Sequence, residues 1–165
     1  VTGWTAVTRS ALGFAALGAG LIHVALAIGG TPWLAAGLVV AGAAEFLWGV
    51  LAVSRPGLPV PRAAIVGALV APIGWLALLA AGIPDGPRPL PMLAATALGV
   101  ALAVGLARGL RRPAVRESRH PALGIAAAGL VVAAITIPAL VATEAPALLP
   151  GPVDPVHQAP QHPGP

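Results

Sequence analysis

Apolar residues fall into five long blocks, 11–29, 33–53, 63–83, 90–107 and 122–143, in which charged side chains are almost absent. About 20 such residues in helical form cross the hydrocarbon core of a bilayer, because a helix rises about 1.5 Å per residue and pairs its own backbone groups where no water is present. The pattern predicts an all-α membrane protein, a bundle of five transmembrane helices spanning 1–144. Helix breakers separate the blocks: Gly29-Gly30-Thr31-Pro32, then 54–62 with Pro56, Pro59 and Pro61, then Pro84-Asp85-Gly86-Pro87-Arg88-Pro89, then 108–121. Thr31-Pro32 reads as a cap followed by proline at the first helical position, where a missing N–H costs nothing, so the second helix is expected to start there. From Ala145 to Pro165 the chain is rich in proline and is expected to be a flexible extracytoplasmic tail.

The arginines alternate from loop to loop. Arg9 precedes the first block, Arg55 and Arg62 lie between the second and third, and Arg108, Arg111, Arg112, Arg116 and Arg119 lie between the fourth and fifth; Arg88 alone falls in the other set of loops. Short cytoplasmic loops carry the excess of basic residues, so the expected orientation has the N-terminus in the cytoplasm and the C-terminus outside, in the inner (plasma) membrane of a cell. Trp4 and Trp33 suit the aromatic belts at the two interfaces. A rival reading exists for residues 1–27: Arg9, an apolar stretch and Ala25-Leu26-Ala27 have the form of a secretory signal with a cleavage site. The apolar run continues to Ile28 and is longer than the usual signal core, which favours a retained helix.

Composition agrees with a lipid solvent. Of 165 residues 58% are apolar and 8% charged, the mean hydropathy is +0.92, and there is no cysteine. A soluble domain carries roughly 25% charged residues, so water is excluded as the main solvent. Without cysteine there are no disulfides, thiolate metal sites or cysteine nucleophiles. All nine basic residues are Arg, which with the Ala, Gly and Pro excess reflects a high-GC coding sequence. The sequence pI of about 11.7 belongs to topology, not to nucleic-acid binding.

Two strongly polar side chains lie well inside the blocks, His23 and Glu45. Ionisable groups at such depth cost on the order of 3 kcal/mol to insert, so they face the protein interior and mark candidate function. Stepping by 100° per residue, Glu45 shares its face with Ala41, Gly42, Trp48, Gly49 and Ala52, opposite Val39, Val40, Phe46, Leu47, Val50 and Leu51. His23 shares its face with Ala16, Ala19, Gly20 and Ala27, opposite Phe14, Leu17, Leu21, Val24 and Ile28. Small faces let helices approach closely, so both side chains are expected to point into the bundle. Counted from the turn at Gly30, His23 lies roughly 10 Å deep and Glu45 roughly 18 Å. Helical side chains lean toward the N-terminus, which in an antiparallel hairpin brings these two toward each other. The candidate site is therefore an intramembrane relay or polar pocket of His23, Glu45 and Trp48. The simpler role is a hydrogen bond joining two helices.

Other features carry less. Gly105 and Gly109 have GxxxG spacing and predict close packing within the bundle before self-association. Pro72 and Pro138 can kink their helices and free carbonyls, and Trp75 is expected to fill the core. The basic stretch 108–119 could meet anionic headgroups, although fixing topology is sufficient reason for it. In the tail, Asp154, His157 and His162 are weak candidate metal ligands, too few for a defined shell. No cofactor is expected: the histidine pairs of a b-type haem protein, a Gly-rich phosphate loop, a nucleophile elbow and an HExxH are all absent from the sequence.

The run Gly20-Leu21-Ile22-His23 with Ala43-Ala44-Glu45-Phe46-Leu47-Trp48-Gly49-Val50-Leu51-Ala52 resembles the small Ala/Leu-rich multi-span integral membrane proteins of high-GC bacteria that are generally called uncharacterised. The resemblance covers chiefly the first two blocks and implies architecture; it brings no catalytic residues. The leading expectation is a non-enzymatic accessory or assembly component, whose partners are the lipid bilayer and either another membrane protein or further copies of itself. The alternative is a small proton-coupled or cation transporter built on His23 and Glu45. Five spans do not divide into two equal inverted halves, and few other polar groups, Thr96 and Thr136 among them, lie within the blocks, which counts against the transporter.

Overall fold

The structure, a computed structural model, describes residues 4–28, 30–82, 87–111 and 120–144. The described residues form five α-helices and no strand: α1 (Ala6–Ala27), α2 (Pro32–Ser54), α3 (Pro61–Ala80), α4 (Pro89–Arg111) and α5 (Pro121–Glu144). All five are long and apolar enough to span a membrane. The stretch 112–119 and the tail with Asp154, His157 and His162 lie outside the described residues.

Helix ends depart from the apolar blocks by a few residues, each for a local reason. α1 begins at Ala6 instead of 11 because Thr5 caps it, its hydroxyl accepting from the Thr8 N–H at 3.1 Å. Arg9 and Ser10 are thus helical, and Arg9 Nη1 donates to the Pro56 carbonyl at 2.9 Å. α2 starts at Pro32 after Thr31, but the Thr31 hydroxyl makes no capping bond; the carbonyl of Thr31 alone opens the helix, accepting from Ala35 N–H at 2.8 Å. α3 stops at Ala80, short of 83, with Gly82 just beyond at φ +66°, a backbone conformation glycine adopts without strain. α4 runs on to Arg111, its last turn carrying Arg108 and Arg111 where cations complement the helix dipole.

Lipid tails are as apolar as leucine, so helices in a bilayer are held by close packing and hydrogen bonds instead of by hydrophobic burial. Close packing here means glycine. On α1, Gly13 and Gly20 lie seven residues apart; on α2, Gly42 and Gly49 lie seven apart and meet them in antiparallel register. A Cβ on Gly20 would stand 2.6 Å from the Gly42 carbonyl oxygen, and one on Gly49 would stand 2.7 Å from that of Gly13. No side chain larger than hydrogen fits either place. α1 is the hub, packed against α2, α4 and α5, with 61% of its apolar window buried in the bundle against 11% for α5. The GxxxG of α4 faces inward onto α1, Gly105 against Leu12 and Gly109 against the ring of Trp4.

α3 joins chiefly α4 and touches α2 much less. Pro72 cannot donate to the carbonyl four residues earlier, that of Ala68, and Gly99 of α4 sits against this freed oxygen, where a Cβ would come to 2.7 Å. Pro72 is buried in that contact, whereas Pro138 of α5 is exposed. The arginines described at one end of the bundle are Arg9, Arg55, Arg62, Arg108 and Arg111, with Arg88 at the other. Exposed Val39, Leu47, Leu123 and Leu130 belong to the outer surface that an apolar solvent covers.

Candidate functional site

His23 lies on the buried face of α1, with Ala16, Ala19 and Gly20 at 0%, 0% and buried exposure beside it, and is itself 1% exposed. Glu45 lies on the buried face of α2 between Gly42 and Gly49 and is 7% exposed. The glycine register alone sets their backbones more than a helical turn apart along the hairpin, and the opposite lean of the two side chains closes that gap. Nδ1 of His23 stands 2.8 Å from Oε2 of Glu45. Gly42 makes the approach possible: a Cβ there would come within 3.2 Å of the His23 Cβ, on the path the imidazole takes toward Glu45.

One proton lies between the two atoms. Either an Nδ1–H donates to a carboxylate, or a protonated carboxyl donates to bare Nδ1. The other ring nitrogen, Nε2, is buried with no hydrogen-bond partner. A buried unpaired nitrogen of this kind costs about 1–3 kcal/mol, so the ring is held for its contact with Glu45 and not because every polar atom is satisfied.

Trp48 lies one turn beyond Glu45. Its indole Nε1–H donates to the carbonyl of Pro59 at 2.7 Å, which ties α2 to the segment leading into α3. Val60, next to that carbonyl, is held at φ +34°, an unusual left-handed conformation for a branched residue and a local strain of about 1–3 kcal/mol. Trp75 is buried at 7% and its indole N–H has no acceptor; the hydroxyls of Thr96 and Thr136 are buried and unpaired too.

No protein-family model, curated protein or solved structure matches this chain. The site is therefore read from its own geometry.

Glu45 and Trp48 share a feature that periodicity does not show. Both line a cavity of about 630 Å³ between α2 and α3, open sideways, with Ala16 of α1 and Leu102 of α4 as its floor. Its walls are otherwise small and apolar, including Ala41, Ala64 and Gly67. A second cavity of about 300 Å³ lies beside it toward the other end of the bundle; Gly37, Ala41 and Val70 line both, and Trp33 and Trp75 line the second. The cleft was hidden from sequence reasoning because it depends on α3 leaning on α4 instead of on α2. Only the glycines of both walls, Gly37, Gly67 and Gly74, hinted at it, and nothing stands within 4 Å of where their Cβ atoms would be. Among the described residues no three His, Asp or Glu form a group able to hold a metal ion.

Proposed function

We propose that this chain is a non-enzymatic multi-pass protein of a bacterial inner membrane, N-terminus cytoplasmic, that accepts a ligand within the bilayer at Glu45, as a small proton-coupled or cation carrier does. One observation carries this reading: Glu45 both pairs with His23 and forms the wall of a laterally open cavity. The pair lies in the glycine seam between α1 and α2, and Glu45 reaches from there to the wall of the cleft. An acid on the edge of an opening can meet something that enters. The retained-helix reading of residues 1–27 is supported by the central packing of α1, and the orientation by the arginines shared at one end of the bundle.

The accessory or assembly role is the second reading. It is favoured by the His23–Glu45 bond itself, since hydrogen bonds of this kind join membrane helices with about 0.6–2 kcal/mol.

The absence of cysteine gives a clean test. Single cysteines at Ala44 and Ala64, on the two walls of the cleft, and at Leu130, on the outer surface of α5, are exposed to a maleimide in native membranes. Maleimides react with thiolates, which need water. Faster labelling at the cleft positions than at Leu130 is the expected result. Equal, negligible labelling at all three would refute a site that exchanges its ligand with water and leave the assembly role.

A further inference from the structure

The cleft has a distinctive chemistry. The chain has no Tyr, two Phe and four Trp; Trp48 lines the cavity that Glu45 lines, and Trp33 and Trp75 line the neighbouring one. The side chain of Trp48 is fixed by its bond to Pro59, so its ring is a rigid wall instead of a mobile one. Among the described residues that line the cleft, Glu45 is the single ionisable group. An acid and an indole, in a space otherwise lined by Ala, Gly, Val and Leu, complement one class of ligand when the acid is a carboxylate. That class is a cation whose charge is wrapped in apolar groups, because a ring face attracts a cation most strongly where water is excluded.

Two rivals fit less well. A small hydrated metal ion needs several oxygens to replace its water shell, and the lining supplies carboxylate oxygens from Glu45 alone. A lipid acyl chain suits the apolar walls but has nothing to offer Glu45. The main cavity, about 630 Å³, falls within the range of small-molecule sites. Its opening toward the surrounding surface gives a lipophilic ion a direct entry from the bilayer.

We infer that the α2–α3 cleft binds a lipophilic cation, with the Glu45 carboxylate as counter-charge and the Trp48 ring as an aromatic wall. His23 is the positioning residue: its bond to Oε2 holds the carboxylate at the cavity edge. This rests on the reading of the cleft as a ligand site, and names the ligand class for it.

The test uses the full chain in nanodiscs of zwitterionic lipid, so that no anionic headgroup competes. The probe is tetraphenylphosphonium, measured by equilibrium dialysis, with tetraphenylborate as a matched anion and triphenylphosphine oxide as a neutral control. Two variants accompany the wild type. Glu45→Gln keeps the shape and the ability to accept from His23 but removes the charge. Gly67→Leu leaves the pair intact and fills the cavity, since a Cβ there meets nothing within 4 Å. The expected result is saturable binding of the phosphonium alone, weakened by ~10-fold or more in each variant, which is about 1.4 kcal/mol or more of binding free energy. Binding of the neutral or anionic probe as tight as that of the phosphonium, lost in Gly67→Leu but unchanged in Glu45→Gln, would overturn the cation and keep the cleft as a ligand site. Absence of saturable binding by all three probes, or binding indifferent to both variants, would overturn the cation proposal and the ligand site together.

Discussion

Gly42→Ala is expected to be among the most damaging single-methyl additions in the chain. The new Cβ would stand 2.7 Å from the Gly20 carbonyl oxygen, 2.9 Å from Val24 Cγ2 and 3.2 Å from His23 Cβ. A backbone oxygen cannot rotate away, so α1 and α2 must part by roughly 0.7 Å to reach ordinary contact. The same displacement would stretch the 2.8 Å bond between His23 and Glu45 to the limit of a hydrogen bond. Overpacking of this kind costs about 1–3 kcal/mol, and a weakened intramembrane hydrogen bond adds up to about 1–2 kcal/mol. The matched control is Gly37→Ala, five residues earlier on the same helix, where nothing lies within 4 Å; helix propensity alone makes it neutral to about 1 kcal/mol stabilising. Unfolding in mixed micelles with increasing dodecyl sulfate, followed by tryptophan emission, measures both. A separation of about 2–4 kcal/mol between the two variants is expected. If they lie within about 0.5 kcal/mol of each other, a difference typical of an unconstrained surface site, the glycine seam is not what holds α1 to α2.

Other consequences are open to the same assays. A double-mutant cycle with His23→Ala and Glu45→Ala should return a coupling of about 0.6–2 kcal/mol; a coupling of zero would mean the 2.8 Å contact contributes nothing to holding the hairpin. In wild-type protein the carboxyl infrared band of Glu45 should move on His23→Ala, since one proton is shared between them, and an unmoved band would show that the two do not communicate. Trp48→Phe should cost about 1 kcal/mol through the lost bond to Pro59 and speed amide exchange at Leu58; unchanged exchange would show that the indole does not anchor the connection. Val60→Gly should stabilise by about 1 kcal/mol, because glycine adopts φ +34° without strain, and a loss of stability instead would refute strain at that position.

Much of the bundle was legible because helices in lipid obey few rules. A block of apolar residues bounded by proline and glycine must be helical and must span, and a 100° wheel then separates Gly42, Glu45 and Gly49, which are buried, from Val39, Val40 and Leu47, which are exposed. The approach of His23 to Glu45 followed from two facts of local geometry, antiparallel direction and the lean of side chains, and needed no knowledge of the other three helices. What lay beyond the sequence depended on partners far along the chain. The helical first turn of α1 was obscured by Arg9, whose charge reads as a flank until Pro56 is seen accepting from it. The seven-residue match of Gly13 and Gly20 to Gly49 and Gly42 is written in the sequence, but which glycine meets which is set by the register of the whole hairpin. The cleft was the least legible feature, because an empty space leaves no residue pattern of its own.

α2 presents two kinds of small-residue surface, and the contrast between them is the strongest argument that the opening is built in. Toward α1 its glycines meet other glycines and backbone touches backbone. Toward α3 its Gly37, Ala41 and Ala44 face Ala63, Ala64 and Gly67, small residues that would permit an equally close approach, yet the walls stand apart. Gly99 seated on the Ala68 carbonyl draws α3 to α4, while Trp48 and Arg9 hold Pro59 and Pro56 at the end of α2. Small residues lining a space held open by its surroundings do not act as packing; they set its volume. The acid facing that space is bonded to one imidazole whose far nitrogen is itself unpaired. Replacing a buried polar pair of this kind with apolar residues of the same size is often neutral or stabilising, so stability alone does not call for the acid.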